Sequence, residues 1–114
     1  MKSTKEKIWG KKASKIEAGL NAIDEDLAKM ITGFVYDDVF NRKGLELKTK
    51  ELLAVAHLIS IGSKSELKTH IFGALNCGAT VLEIKETIIH AAMFVGFPKA
   101  ISAMQILKDI TSKP

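Results

Sequence analysis

Two segments of this chain are apolar on almost every side of a helix, and that fact limits what it can fold into. The first carries Leu52, Leu53, Ala54, Val55, Ala56, Leu58, Ile59 and Ile61. The second carries Ile88, Ile89, Ala91, Ala92, Met93, Phe94 and Val95. A helix that is apolar all round has to be buried all round. With 114 residues there is material for one modest core, enough to surround one such helix but not two. The surplus would leave an apolar patch larger than soluble monomers usually expose. The expectation is a homo-oligomer.

Turn and cap signals divide the rest. Ser3 to Asn21 is lysine-rich with Ile8, Trp9, Ile16 and Leu20 as apolar points, and reads as a helix broken near Gly10. Asp24 suits an N-cap for a helix over 25–40, whose apolar stripe would be Leu27, Met30, Ile31, Phe34, Val35 and Val39. After a turn at 41–44, a third helix spans 47–61 and ends at Gly62. Ser63 with Glu66, and Thr80 with Glu83, have capping-box spacing and open a fourth helix to Cys77 and a fifth to Val95. Pro98 fits the first turn of a sixth, running to about residue 110. Strand alternation is absent. The fold class is therefore all-α, a compact bundle of about six helices in a single domain over 1–114, with 1–23 as a lysine-rich N-terminal helical segment.

Charge excludes less than it first suggests. The formal net charge is +4, yet of seventeen basic residues all but Arg42 are lysine. Bidentate recognition of phosphates and guanine edges is mainly arginine chemistry. One tryptophan, one tyrosine and five phenylalanines, none alternating with basic residues, make no stacking platform for bases. No nucleic-acid partner is expected. No apolar run approaches the roughly 20 residues that span a bilayer, so no membrane partner is expected either. The N-terminus leads into no signal-peptide core, and a lone Cys77 allows no internal disulfide. Both point to the cytoplasm.

Polar residues stranded in apolar helices are the candidates for chemistry: Glu51 and His57 in the third helix, His70 in the fourth, His90 in the fifth. Burial and neighbouring charge shift the pKa of such groups, which suits general acid–base catalysis. A lone histidine in an apolar helix is nevertheless more often a hydrogen-bonded core residue, and Glu51 could simply pair with a lysine. Glu51 and His57 are six residues apart, about 600° of helical rotation, and so face different sides. No two histidines have metal-ligand spacing on one helix, so no metal is expected. Cys77 falls at a helix C-terminus, where the dipole disfavours a thiolate, and reads as a packing residue.

The stretch from Phe40 to Ile110 resembles the carboxymuconolactone decarboxylase family, within the alkylhydroperoxidase D-like superfamily. The resemblance is carried by Phe40-Asn41-Arg42-Lys43-Gly44-Leu45, Leu47-Lys48-Thr49-Lys50-Glu51-Leu52, Glu66-Leu67 with His70, and 74–80 (ALNCGAT). Glu83-Ile84, Glu86, His90 and the Gly96-Phe97-Pro98 corner complete it. It implies an all-helical subunit that assembles into trimers or hexamers. The superfamily's peroxidase branch uses a Cys-x-x-Cys pair, whose positions here are Ser63 and Glu66. An alkylhydroperoxidase-like antioxidant role is thus left without its nucleophile, although Glu51 and His70 match that branch's proton-relay glutamate and histidine.

The decarboxylase branch implies cofactor-free loss of carbon dioxide from a small carboxylated lactone. There His70 would donate the proton and Glu51 would orient it or hold its charge. Lys48 and Lys68 would attract the carboxylate at the pocket mouth, and His57 and His90 could contact it. A non-catalytic oligomeric protein that binds a small acid is the remaining alternative. Glu51 and His70 are expected within direct or one-water hydrogen-bonding reach, in a cavity lined partly by the third and fifth helices.

Overall fold

The computed structural model describes residues 2–112, and among these the secondary structure is helical throughout. The elements are α1 (Thr4–Trp9), a 3₁₀ turn (Gly10–Lys12), α2 (Ala13–Ile23), α3 (Glu25–Met30), a π-helical segment (Ile31–Val39), α4 (Leu47–Ile61), α5 (Lys64–Asn76), α6 (Val81–Val95) and α7 (Phe97–Thr111). Taken as rods, with α1–α2 as one broken helix and α3 continuing into the π segment, they match the six expected helices. No helix among the described residues is long and apolar enough to cross a membrane.

Local chemistry explains most boundaries. Asp24 accepts the Leu27 N–H at 2.8 Å as the N-cap of α3. Thr80 and Glu83 form the full reciprocal capping box of α6. Ser3 and Glu6 make a second such box at α1, which the sequence reading did not anticipate. Ser63 occupies the N-cap of α5 but its side chain makes no cap hydrogen bond, so the expected box with Glu66 is not formed. The break at Gly10 has a clear cause. Its φ is +58°, and any Cβ there would sit 2.8 Å from Asn76 Nδ2. That amide donates to Ile8 O at 2.8 Å and ties α1 to α5.

One element departs from expectation. The helix over 25–40 is α-helical only to Met30 and then shifts to i→i+5 bonding, closing with Phe40 N–H to Val35 O at 2.8 Å. The wider turn re-aims every later side chain. Of the expected apolar stripe, Phe34 and Val39 in this segment are exposed, and so already are Leu27 and Met30 in α3 before it. The buried residues are Ala28 and Tyr36. Tyr36 sits with Ile8 and Trp9 in a small cluster supported by Ile31, Val35 and Phe40.

The main core lies between α4, α5, α6 and α7, where Val55, Ile59, Ile71, Ile84, Ile88 and Ala103 are fully buried. Neither strongly apolar helix is enclosed all round. Leu53 and Ile61 of α4 are exposed, and so are Ile89, Met93 and Phe94 of α6, with Phe97 and Ile101 of α7 beside them.

Candidate functional site

Glu51 lies on the inward stripe of α4, one and two turns before the core residues Val55 and Ile59. Its side chain is 0% exposed. His70 enters from α5, between the buried Leu67 and Ile71. The imidazole Nδ1 and Glu51 Oε1 are 2.9 Å apart. The second carboxylate oxygen, Oε2, is buried and has no hydrogen-bond partner among the described residues. An unsatisfied buried acceptor costs about 1–3 kcal/mol, so nothing in packing alone favours a glutamate here.

Room for that carboxylate comes from Gly73, one turn beyond His70. A Cβ at Gly73 would collide with Glu51 Oε1 and lie 2.9 Å from Ile8 Cγ2. Ile8, itself 0% exposed, covers this side of the pair from α1. On the other side runs a column of rings. Trp9 and Tyr36 are 4.6 Å apart, Tyr36 and Phe40 5.1 Å, and Phe40 and His70 6.5 Å. Trp9 Nε1 donates to the Tyr36 hydroxyl at 3.0 Å.

Burial pushes the His70 pKa down. The hydrogen bond and charge of Glu51, with a lesser contribution from Glu66, outweigh it, so the net direction is up from the ordinary value. Burial, and then the Glu51 charge, raise the Tyr36 phenol and hold it protonated. The same two causes raise the Cys77 thiol to about 11. Cys77 is half-buried, with Sγ 3.9 Å from Lys7 O. A thiol held protonated makes a poor nucleophile.

The other candidates do not join the pair. His57 is exposed on the outer side of α4, and His90 is exposed on α6 with its ring 5.5 Å from Phe94. Lys48 is engaged by Glu83, Nζ to Oε2 3.2 Å, because the first turns of α4 and α6 meet there. Lys68 is exposed beside Phe72, on a face shared with Lys12. Among the described residues no group of three or more His, Cys, Asp or Glu side chains gathers to hold a metal ion.

The expected cavity around the pair is not found: none of the cavities described has Glu51 or His70 in its wall. The largest cavity described, about 640 Å³, has neither Glu51 nor His70 in its wall. It is a groove between the outer face of α4 and the loop after the π segment. Val39, Phe40, Leu45, Leu53 and Ala54 supply apolar walls, Arg42, Lys43 and Lys50 supply cations, and His57 adds a polar ring. α6 contributes nothing to it. Lys50 Nζ reaches back to the carbonyls of Phe40 (2.8 Å), Val39 (3.4 Å) and Arg42, and so caps the open end of the π segment. Phe40 belongs to both places, since it lines the groove and stacks on His70.

Gly73 and Tyr36 were not singled out from sequence, and Phe40 entered only as part of the family resemblance, with no role assigned. Gly73 left a usable signal, an isolated glycine inside a helix three residues after a candidate histidine. Tyr36 left none, and neither did the stacking of Phe40 on His70, because both placements follow from the π segment.

Comparison with known proteins agrees with this architecture. The carboxymuconolactone decarboxylase family model matches residues 25–109. A 4-carboxymuconolactone decarboxylase of Acinetobacter baylyi is 32% identical over 91 residues, which is 80% of this chain and 68% of that protein. A nitrosuccinic acid decarboxylase of Metarhizium robertsii is 40% identical over 76 residues, 67% of this chain and 53% of the relative. An uncharacterised 15.0 kDa protein of Paracoccus denitrificans is 36% identical over 77 residues, 66% of this chain and 58% of its own length. The match thus spans little more than half of the last two relatives. The family match covers α3 to α7 with the Glu51–His70 pair inside it, and the chain belongs to the carboxymuconolactone decarboxylase family.

Proposed function

We propose that this protein is a carboxy-lyase that removes carbon dioxide from a small carboxylated substrate by general acid–base catalysis, without a cofactor. The observation that carries the reading is the 2.9 Å contact between His70 Nδ1 and the fully buried Glu51. Two relatives named as decarboxylases of small acids support it. In such a reaction the bond to the departing carboxylate breaks, and its electron pair passes into a conjugated acceptor on the substrate. A proton must then reach carbon. With Nδ1 engaged by Glu51, the transfer falls to His70 Nε2. The Glu51 carboxylate fixes the ring and stabilises the imidazolium until the proton leaves.

A dithiol peroxidase reading is not favoured. Ser63 and Glu66 stand where its cysteines would be, and the Cys77 thiol is held protonated. The active species is proposed to be a homo-oligomer.

Purified protein incubated separately with 4-carboxymuconolactone and with nitrosuccinate, with carbon dioxide release followed, tests the reading. Turnover of at least one is expected, falling by about 10²–10⁴-fold in His70→Gln and in Glu51→Gln, the range of a lost acid–base group. Turnover that survives His70→Gln refutes the assignment.

A further inference from the structure

The groove on the outer face of α4 has no role in the proton relay, yet its chemistry is that of a binding site. Its volume of about 640 Å³ lies within the range of small-molecule pockets, which are mostly apolar with a few convergent polar groups. Its walls follow that pattern, and no acidic side chain lines it.

The cations around it are not already neutralised. Among the described residues the ion pairs are Lys5 with Glu17, Lys48 with Glu83, and His70 with Glu51. Lys50 is occupied by three main-chain carbonyls. Arg42, Lys43 and His57 appear in none of these interactions. Arg42 is also the single arginine in a chain whose other basic residues are all lysine. A guanidinium presents a planar fork that matches a carboxylate bidentately, which an ammonium does not.

We propose that this groove binds a small apolar carboxylate, with Arg42 as the anchor of the carboxyl group, Lys43 as a supporting cation, His57 as a hydrogen-bond donor, and Leu45 and Leu53 against the apolar body. The site adjoins the proton relay through one side chain, because the Phe40 ring lines the groove and stacks 6.5 Å from His70. The next step rests on the decarboxylase reading. A carboxylate paired with arginine is stabilised in the ground state, which opposes its loss. The group held at Arg42 is therefore the one retained.

The test separates this proposal from that reading. The full chain, isotope-labelled, is titrated by NMR with benzoate and, in parallel, with the neutral analogue benzamide. Benzoate is expected to shift the Leu45, Leu53 and His57 signals, and benzamide to leave them unmoved. Arg42→Ala is expected to weaken benzoate binding at least tenfold, with Arg42→Lys in between. Equal response to benzamide, absence of shifts at the groove, or unchanged affinity in Arg42→Ala overturns the proposal. Light scattering adds a further check. If Arg42→Ala alters assembly size and not benzoate affinity, the groove belongs to a second copy of the chain, and the proposal is again overturned. Benzoate binding without turnover of either acid refutes the decarboxylase reading and leaves the site standing. Turnover with KM unchanged in Arg42→Ala refutes the site alone.

Discussion

His70 shows how two opposed effects are decided by one contact. Burial disfavours the imidazolium, and the Glu51 carboxylate 2.9 Å away favours it more, so the folded-state pKa lies above the unfolded value of about 6.5. A pKa raised on folding means that the native state binds the proton more tightly than the unfolded chain does. The resulting stabilisation is fully present below the unfolded pKa and is lost as pH rises through the folded one. Urea unfolding of the parent protein and of His70→Gln should therefore differ most near about pH 6, and the difference should shrink as pH rises through the folded-state pKa. A difference that stays constant or widens with pH would mean that the ion pair is not what His70 contributes. Polarity inside an apolar helix marked Glu51 and His70 but marked His57 and His90 as well, and it was the resemblance to the family's proton relay that set the pair apart. That His57 and His90 are not part of the pair was legible only for His57, whose angular offset from Glu51 on the same helix is fixed by helix geometry.

At the scale of elements, α5 is held between α1 and α4 by residues too small to separate them. Gly73 faces Glu51 of α4 and Ile8 of α1 together. Gly73→Ala keeps the helix propensity favourable, gaining up to about 1 kcal/mol on that account. Its methyl nevertheless has no space, and overpacking of this kind costs about 1–3 kcal/mol. A net loss of stability in urea is expected, together with loss of the His70–Glu51 contact visible in the imidazole resonances. An unchanged or raised stability would show that Glu51 moves aside freely. The π segment is the element that sequence misread. Apolar residues at 27, 30, 31, 34, 35 and 39 have good α-helical spacing, and periodicity carries no trace of the change to i→i+5 bonding. That change turns Phe34 and Val39 outward and Tyr36 inward, and it sets Phe40 between the groove and His70.

Across the whole molecule, apolar surface remains after folding. Met93 is 70% exposed, Phe94 77% and Phe97 72%, next to Ile89 and Ile101. Burying one such side chain contributes roughly 1.5–3 kcal/mol, so a shared face built from α6 and α7 would be a strong association surface. Light scattering at micromolar concentration should give three or six times the 12.5 kDa subunit mass, and Phe94→Lys should reduce it. A monomeric parent protein would refute the assembly.

The sequence by itself determined the helical class, most helix ends, and four polar candidates, two of which meet in the interior. Each is a local property: a cap such as Asp24 or Thr80, a terminator such as Gly62 or Gly96, or a charge embedded in an apolar run. The tertiary structure alone decided that Lys48 answers to Glu83, that a groove of about 640 Å³ lies outside α4 with Arg42 at its edge, and that His90 faces outward. Those outcomes depend on which helix faces pack together and on one stretch of i→i+5 hydrogen bonding, and neither leaves a mark in residue spacing.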